Sequence, residues 1–96
     1  MRPSTILESS RETIRRAVMR HGLLNARVFG SVLHGTDVEG SDLDLLVDAG
    51  AEISLLDLVR AKHEMEDAFG LTVDLLTPED LPTSFRDRVL AEARPP

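Results

Sequence analysis

Asp42, Asp44 and Asp74 are the side chains in this sequence best able to do chemistry together. Asp42 and Asp44 sit two apart in Asp42-Leu43-Asp44-Leu45-Leu46-Val47, the clearest strand pattern in the chain. Side chains alternate across a strand, so both carboxylates point to one side, and Leu43, Leu45 and Val47 point to the other. A second strand pattern, Thr72-Val73-Asp74-Leu75-Leu76, places Asp74 opposite in parity to Val73 and Leu75. If the two strands are neighbours, three carboxylates converge on one face. Such a group repels itself unless a cation sits among it. Mg²⁺ takes oxygen ligands, often one or two carboxylates plus substrate phosphate oxygens. One or two such ions stabilise the attacking and leaving oxygens of an in-line displacement, which is the chemistry of phosphoryl and nucleotidyl transfer.

Gly30-Ser31 suits the same purpose. It follows the strand pattern Ala26-Arg27-Val28-Phe29. Glycine lets backbone approach a phosphate closely, a strand-to-helix turn aims free N–H groups at an anion, and the Ser31 hydroxyl adds a further donor. An isolated Asp-x-Asp most often marks solvated surface, and an isolated Gly-Ser an ordinary turn. The weight lies in the combination.

The elements that must position these residues follow from periodicity and punctuation. A helix is expected from about Ser4 to His21, carrying Ile14, Ala17 and Val18 and stopped by Gly22. Ser54 caps a second helix that runs to Phe69 and ends at Gly70. A last helix spans about Thr83 to Arg94. The reading is an α/β (α+β) domain, residues 1–96 as one unit, with a small three-stranded mixed sheet and helices packed on one face. Asp48 is placed in the turn closing the second strand. His21 reads as a helix-end residue, His63 as exposed, and Arg86, Arg88 and Arg94 as solvated. Leu55, Leu56, Leu58 and Val59 read as core but are too numerous for one helix face, so part of that cluster, or of the Val89-Leu90 helix, is assigned to a subunit or partner interface.

Composition narrows the function. The chain has 96 residues and a net charge of −6, with three aromatic residues, all Phe. An acidic surface without exposed rings excludes direct nucleic-acid binding through a basic face or stacking platform. A nucleotide remains compatible, because a divalent metal supplies the positive charge. Cysteine is absent, which removes disulfides and thiolate chemistry, and the scattered histidines make no zinc site. Without a membrane-length apolar run or secretory h-region, the expectation is a cytoplasmic protein with no membrane association.

Gly30-Ser31, ten residues, then Asp42-Leu43-Asp44 resembles the signature of the DNA polymerase beta-like nucleotidyltransferase superfamily. The surrounding Val28-Phe29-Gly30-Ser31, Gly35 and Ser41-Asp42-Leu43-Asp44-Leu45-Leu46-Val47 is similar to its minimal (MNT) branch, over roughly residues 10 to 94. The resemblance implies the nucleotidyltransferase fold and a site in which Asp42, Asp44 and Asp74 hold Mg²⁺. It further implies that Asp74 helps deprotonate the attacking hydroxyl and that Gly30 and Ser31 bind the β- and γ-phosphates of ATP. It also implies a partner, a HEPN-domain toxin silenced by AMP transfer to a tyrosine, in a hetero- or homo-oligomer. The alternative function is an antitoxin that masks its partner sterically, its site idle or nucleotide-sensing. One departure stands out: the family often carries Arg before Gly35, where this chain has His34. If that Arg steadies the triphosphate, His34 makes binding weaker or pH-dependent; if it is structural, little changes.

Overall fold

The periodic apolar residues of the first helix, Leu7, Ile14, Ala17 and Val18, are all buried, and they orient it over a sheet. In the computed structural model, which describes residues 2–96, this helix (α1, Pro3–Arg20) begins with Pro at its first position and bends at Ser10. Pro fits there because the first helical N–H groups have no intrahelical partner. The Ser4 N–H is instead accepted by Asp37 from a distant loop, at 2.8 Å. Gly22, with φ +76°, turns the chain into β1 (Leu23–Phe29). That strand starts earlier than its Ala26–Phe29 core suggests. Its pairing is irregular between Leu24 and Arg27, where Asn25 adopts φ +54°. This bulge hid the first half of the strand from a reading based on alternation.

A short helix α2 (Gly30–His34) and a turn-rich loop lead to β2 (Leu43–Ala49), which pairs antiparallel with β1. Helix α3 (Leu55–Phe69) crosses back to β3 (Val73–Leu76), which pairs parallel with β2. A parallel pair needs such a crossover. Ser54 caps α3 as anticipated, in a reciprocal capping box with Asp57, and Gly70 ends it at φ +69°. The sheet order is β1-β2-β3, with β3 at an edge.

Two apolar clusters lie on opposite faces of the sheet. The larger joins Ile14, Val18, Leu23, Leu43, Leu45, Val47, Ala61, Met65 and Val73, so α1 and α3 pack on one face as expected. The final helix α4 (Thr83–Glu92) departs from that plan. Val89 and Leu81 cover Leu46, with Phe29 and Leu76 packed alongside, on the face that also carries Asp44 and Asp74. At one end of that face Asp44 is half-buried and Asp42 exposed. The chain then runs back along β1, where Val28 and Arg94 form an antiparallel bridge and Arg15 donates to the Pro96 carbonyl.

Several surface assignments change. Asp48 belongs to β2 rather than to a turn, and accepts from Arg27 at 2.6 Å. Arg86 donates to the Leu81 carbonyl at 2.9 Å and Arg94 to the carbonyl of Glu92 at 3.0 Å. Arg86 is half-buried against the start of α4, whereas Arg88 and Arg94 stay exposed, as expected. On α3, Leu58 packs on the core, whereas Leu55 and Leu56 are 76% and 54% exposed. Among the described residues no helix is long and apolar enough to cross a membrane.

Candidate active site

Strand register builds the site. Asp44 stands opposite Phe29 in β1 and opposite Asp74 in β3. Neighbouring strands lie about 4.8 Å apart, so paired residues project side chains together from the same face. The two carboxyls come within hydrogen-bonding reach of each other. Asp42 lies on the exposed lead-in to β2, and its charge is felt at Asp44. Burial, then the hydrogen bond with Asp74, then the charges of Asp74 and Asp42 push the Asp44 carboxyl up to about 6. Burial of a carboxyl and like charges beside it both favour its neutral form, and this is the cause of the shift at Asp44.

Gly30 completes the arrangement. It has φ +75°, a conformation that L side chains rarely adopt. A Cβ at this position would lie 3.0 Å from Cγ of Asp44 and would run into its Oδ2. The turn thus brings the backbone directly over the carboxylate. Ser31 follows in the first turn of α2, whose leading N–H groups receive no side-chain cap. The Ser31 carbonyl accepts from the Thr36 N–H at 2.9 Å, which ties down the loop leading back to Asp42. Four of the five expected residues therefore meet at one end of the sheet, with Asp42 at its rim. His34, one turn further on, is paired with Glu92 of α4, Nε2 to Oε2 at 3.0 Å.

Among the described residues no three acidic or imidazole groups form a ready-made metal cage. Mg²⁺ does not demand one, since it keeps waters and shares its shell with substrate phosphates. A hard oxygen pair, a third carboxylate at the rim and a backbone turn open to phosphate fit that ion. A cavity of about 560 Å³ opens elsewhere, lined by Arg2, Thr5, Leu7, Val28, Val32 and Arg94 among others, and none of the five site residues lines it.

Two supports were not foreseen. Asp37, only 4% exposed, ties the loop before Asp42 to the start of α1. Lys62 and Glu66 of α3 reach the backbone of Val73, beside Asp74. In the sequence the first looks like any turn acid, and the second like a surface helical ion pair.

A glycine-led turn over paired strand carboxylates, on a small mixed sheet backed by helices, defines a nucleotidyl-transfer enzyme. The model of the polymerase beta nucleotidyltransferase family matches residues 12–95, and the chain belongs to that family. A protein adenylyltransferase of Thermococcus cleftensis is 37% identical over 73 residues, covering 76% of this chain and 74% of that protein. A solved minimal nucleotidyltransferase superposes with TM-score 0.85 at 40% identity, covering 97% of this chain and 95% of the other. A toxin–antitoxin structure with AMP-PNP shares the fold, with TM-score 0.74 at 21% identity over 88% of this chain and 69% of the other.

Proposed function

We propose that this chain is a Mg²⁺-dependent protein adenylyltransferase that moves AMP from ATP to a hydroxyl, in particular a tyrosine, of a HEPN-domain toxin and so acts as its antitoxin. The observation that carries the reading is the register pairing of Asp44 with Asp74 beneath the Gly30 turn. The adenylyltransferase relative supports AMP as the transferred group and a protein as acceptor. The toxin–antitoxin neighbour with AMP-PNP supports an adenine nucleotide donor and a toxin partner. ATP as donor fits a cytoplasmic setting, with residues 1–96 acting as one domain.

In this reading Asp42, Asp44 and Asp74 hold one or two Mg²⁺ ions, which when bound offset charge on the triphosphate and the leaving pyrophosphate. Gly30 and Ser31 receive the β- and γ-phosphates through backbone N–H groups and the Ser31 hydroxyl. The acceptor oxygen attacks the α-phosphorus, the bond to the bridging oxygen breaks, and pyrophosphate departs. Asp74 takes the acceptor's proton. His34 is paired with Glu92, so any contact with the triphosphate requires that pair to open.

The test is intact mass spectrometry of the neighbouring gene's product after incubation with this protein, ATP and Mg²⁺. A gain of AMP units, lost with Asp42→Asn, supports the reading. No gain by a partner that nonetheless forms a stable complex overturns it. A second reading, steric masking of the toxin, draws on the exposed apolar side chains Leu55 and Leu56, which suit a docking surface. Neutralisation that survives combined Asp42→Asn and Asp44→Asn would favour masking.

A further inference from the structure

We infer that Lys62 and Glu66 of α3 are positioning residues for the transfer reaction, acting through the backbone of β3 to set where Asp74 stands. The inference rests on the adenylyltransferase reading above. β3 is a four-residue edge strand, paired to β2 on one side only. Val73 presents its own N–H and C=O to the unpaired side, where a further strand would otherwise bind. Two side chains take that strand's place. Glu66 Oε2 accepts the Val73 N–H at 3.0 Å, and Lys62 Nζ donates to the Val73 carbonyl at 2.8 Å. The two side chains also bond each other, Nζ to Oε2 at 3.0 Å, closing a ring of three contacts around one peptide residue.

The ring is partly shielded from water, and both groups are held from the same helix face, one turn apart. Glu66 is kept ionised by it: the Val73 N–H and then Lys62 hold its carboxyl below the ordinary glutamate range. The Val73 side chain, fully buried, anchors the same residue in the core from the other direction. Val73 is thereby fixed at backbone and side chain alike, and the next residue is Asp74. A short edge strand otherwise frays. A shift of about 1 Å at a reacting group is enough to cost rate. The Lys62–Glu66 pair therefore keeps the Asp74 carboxyl in reach of Asp44 while touching neither substrate nor either carboxylate.

A double-mutant cycle tests this. Glu66→Ala is expected to lower kcat about tenfold or more with the KM for ATP little changed. Glu66→Gln should restore most of the rate, because its amide oxygen still accepts from Val73. In an Asp74→Asn background the same Glu66→Ala change should cost nothing further. Lys62→Met gives a second route should Glu66→Ala fold poorly. Carboxyl ¹³C resonances of Asp44 and Asp74 in the metal-free protein read the geometry without any turnover, and both are expected to move in Glu66→Ala. Equal losses in both backgrounds, or unmoved resonances accompanied only by a lower melting temperature, would overturn the inference. If the native chain transfers nothing, the functional reading fails and the resonances alone decide the positioning claim.

Discussion

Gly30 lies against the carboxylate of Asp44, so closely that the smallest side chain at position 30 would displace it. The contact joins the end of β1 to the start of β2. It combines two demands on one residue: a positive φ, and no atom where Cβ would stand. Gly30→Ala should therefore lower transfer by about a hundredfold or more, since Asp44 must move to make room. Backbone strain and crowding together should remove about 1–3 kcal/mol of stability. Transfer rates and denaturant unfolding on the same preparation check both outcomes.

Asp44 also sets a pH dependence. Its carboxyl is raised to about 6 in the folded chain from 3.8. Between those values the folded state holds more protons than the unfolded state, so metal-free stability falls as pH rises from about 4 to about 6. Solvent reaches the pair and screens it, which leaves a penalty of about 1 kcal/mol at neutral pH. Asp44→Asn should remove the penalty and melt higher than the native chain at pH 7, with no difference at pH 3.5. The same substitution should abolish transfer. Melting curves across pH, without metal, would show a flat difference if the pair carries no such cost.

At the start of α1, Asp37 acts with the reverse sign. The hydrogen bond from the Ser4 N–H holds its carboxyl below 3.8 despite its burial, which pushes the other way. The stabilisation is fully present above about pH 4 and is lost as pH falls through the depressed folded value. Asp37→Ala should thus melt below the native chain at pH 7, and the gap should close in strong acid. A gap of constant size from pH 7 to pH 2 would mean that packing, not the charged cap, is responsible.

Ser54 provides a contrast remote in role from the chemistry. Its side chain and that of Asp57 satisfy the first turn of α3 reciprocally. Ser54→Ala should cost about 1 kcal/mol in denaturant unfolding. Transfer by the folded protein should remain at the native level, as a check that stability loss alone does not mimic loss of the site.

The amino-acid sequence by itself determined the parts of this protein that depend on near neighbours. Alternation put Asp42 and Asp44 on the side away from Leu43, Leu45 and Val47, and Gly22, Ser54 and Gly70 marked helix boundaries, because capping and φ preference act within a few residues. The Gly30-Ser31 spacing to Asp42 carried weight only as a resemblance to the nucleotidyltransferase signature. Only tertiary structure decided that Asp74 faces Asp44, that Gly30 presses on that carboxylate, and that α4 closes over Leu46 on the face that carries both acids. It also decided that Asp37 caps a helix 33 residues away in the chain, that Lys62 and Glu66 hold Val73, and that Asp48 is a strand residue bound to Arg27. Each of these is a register or a contact between distant segments. Pairing of that kind is chosen by the packing of the whole core, where a one-residue slip in β2 would turn Asp44 toward α1 and α3 and Leu43, Leu45 and Val47 away from them.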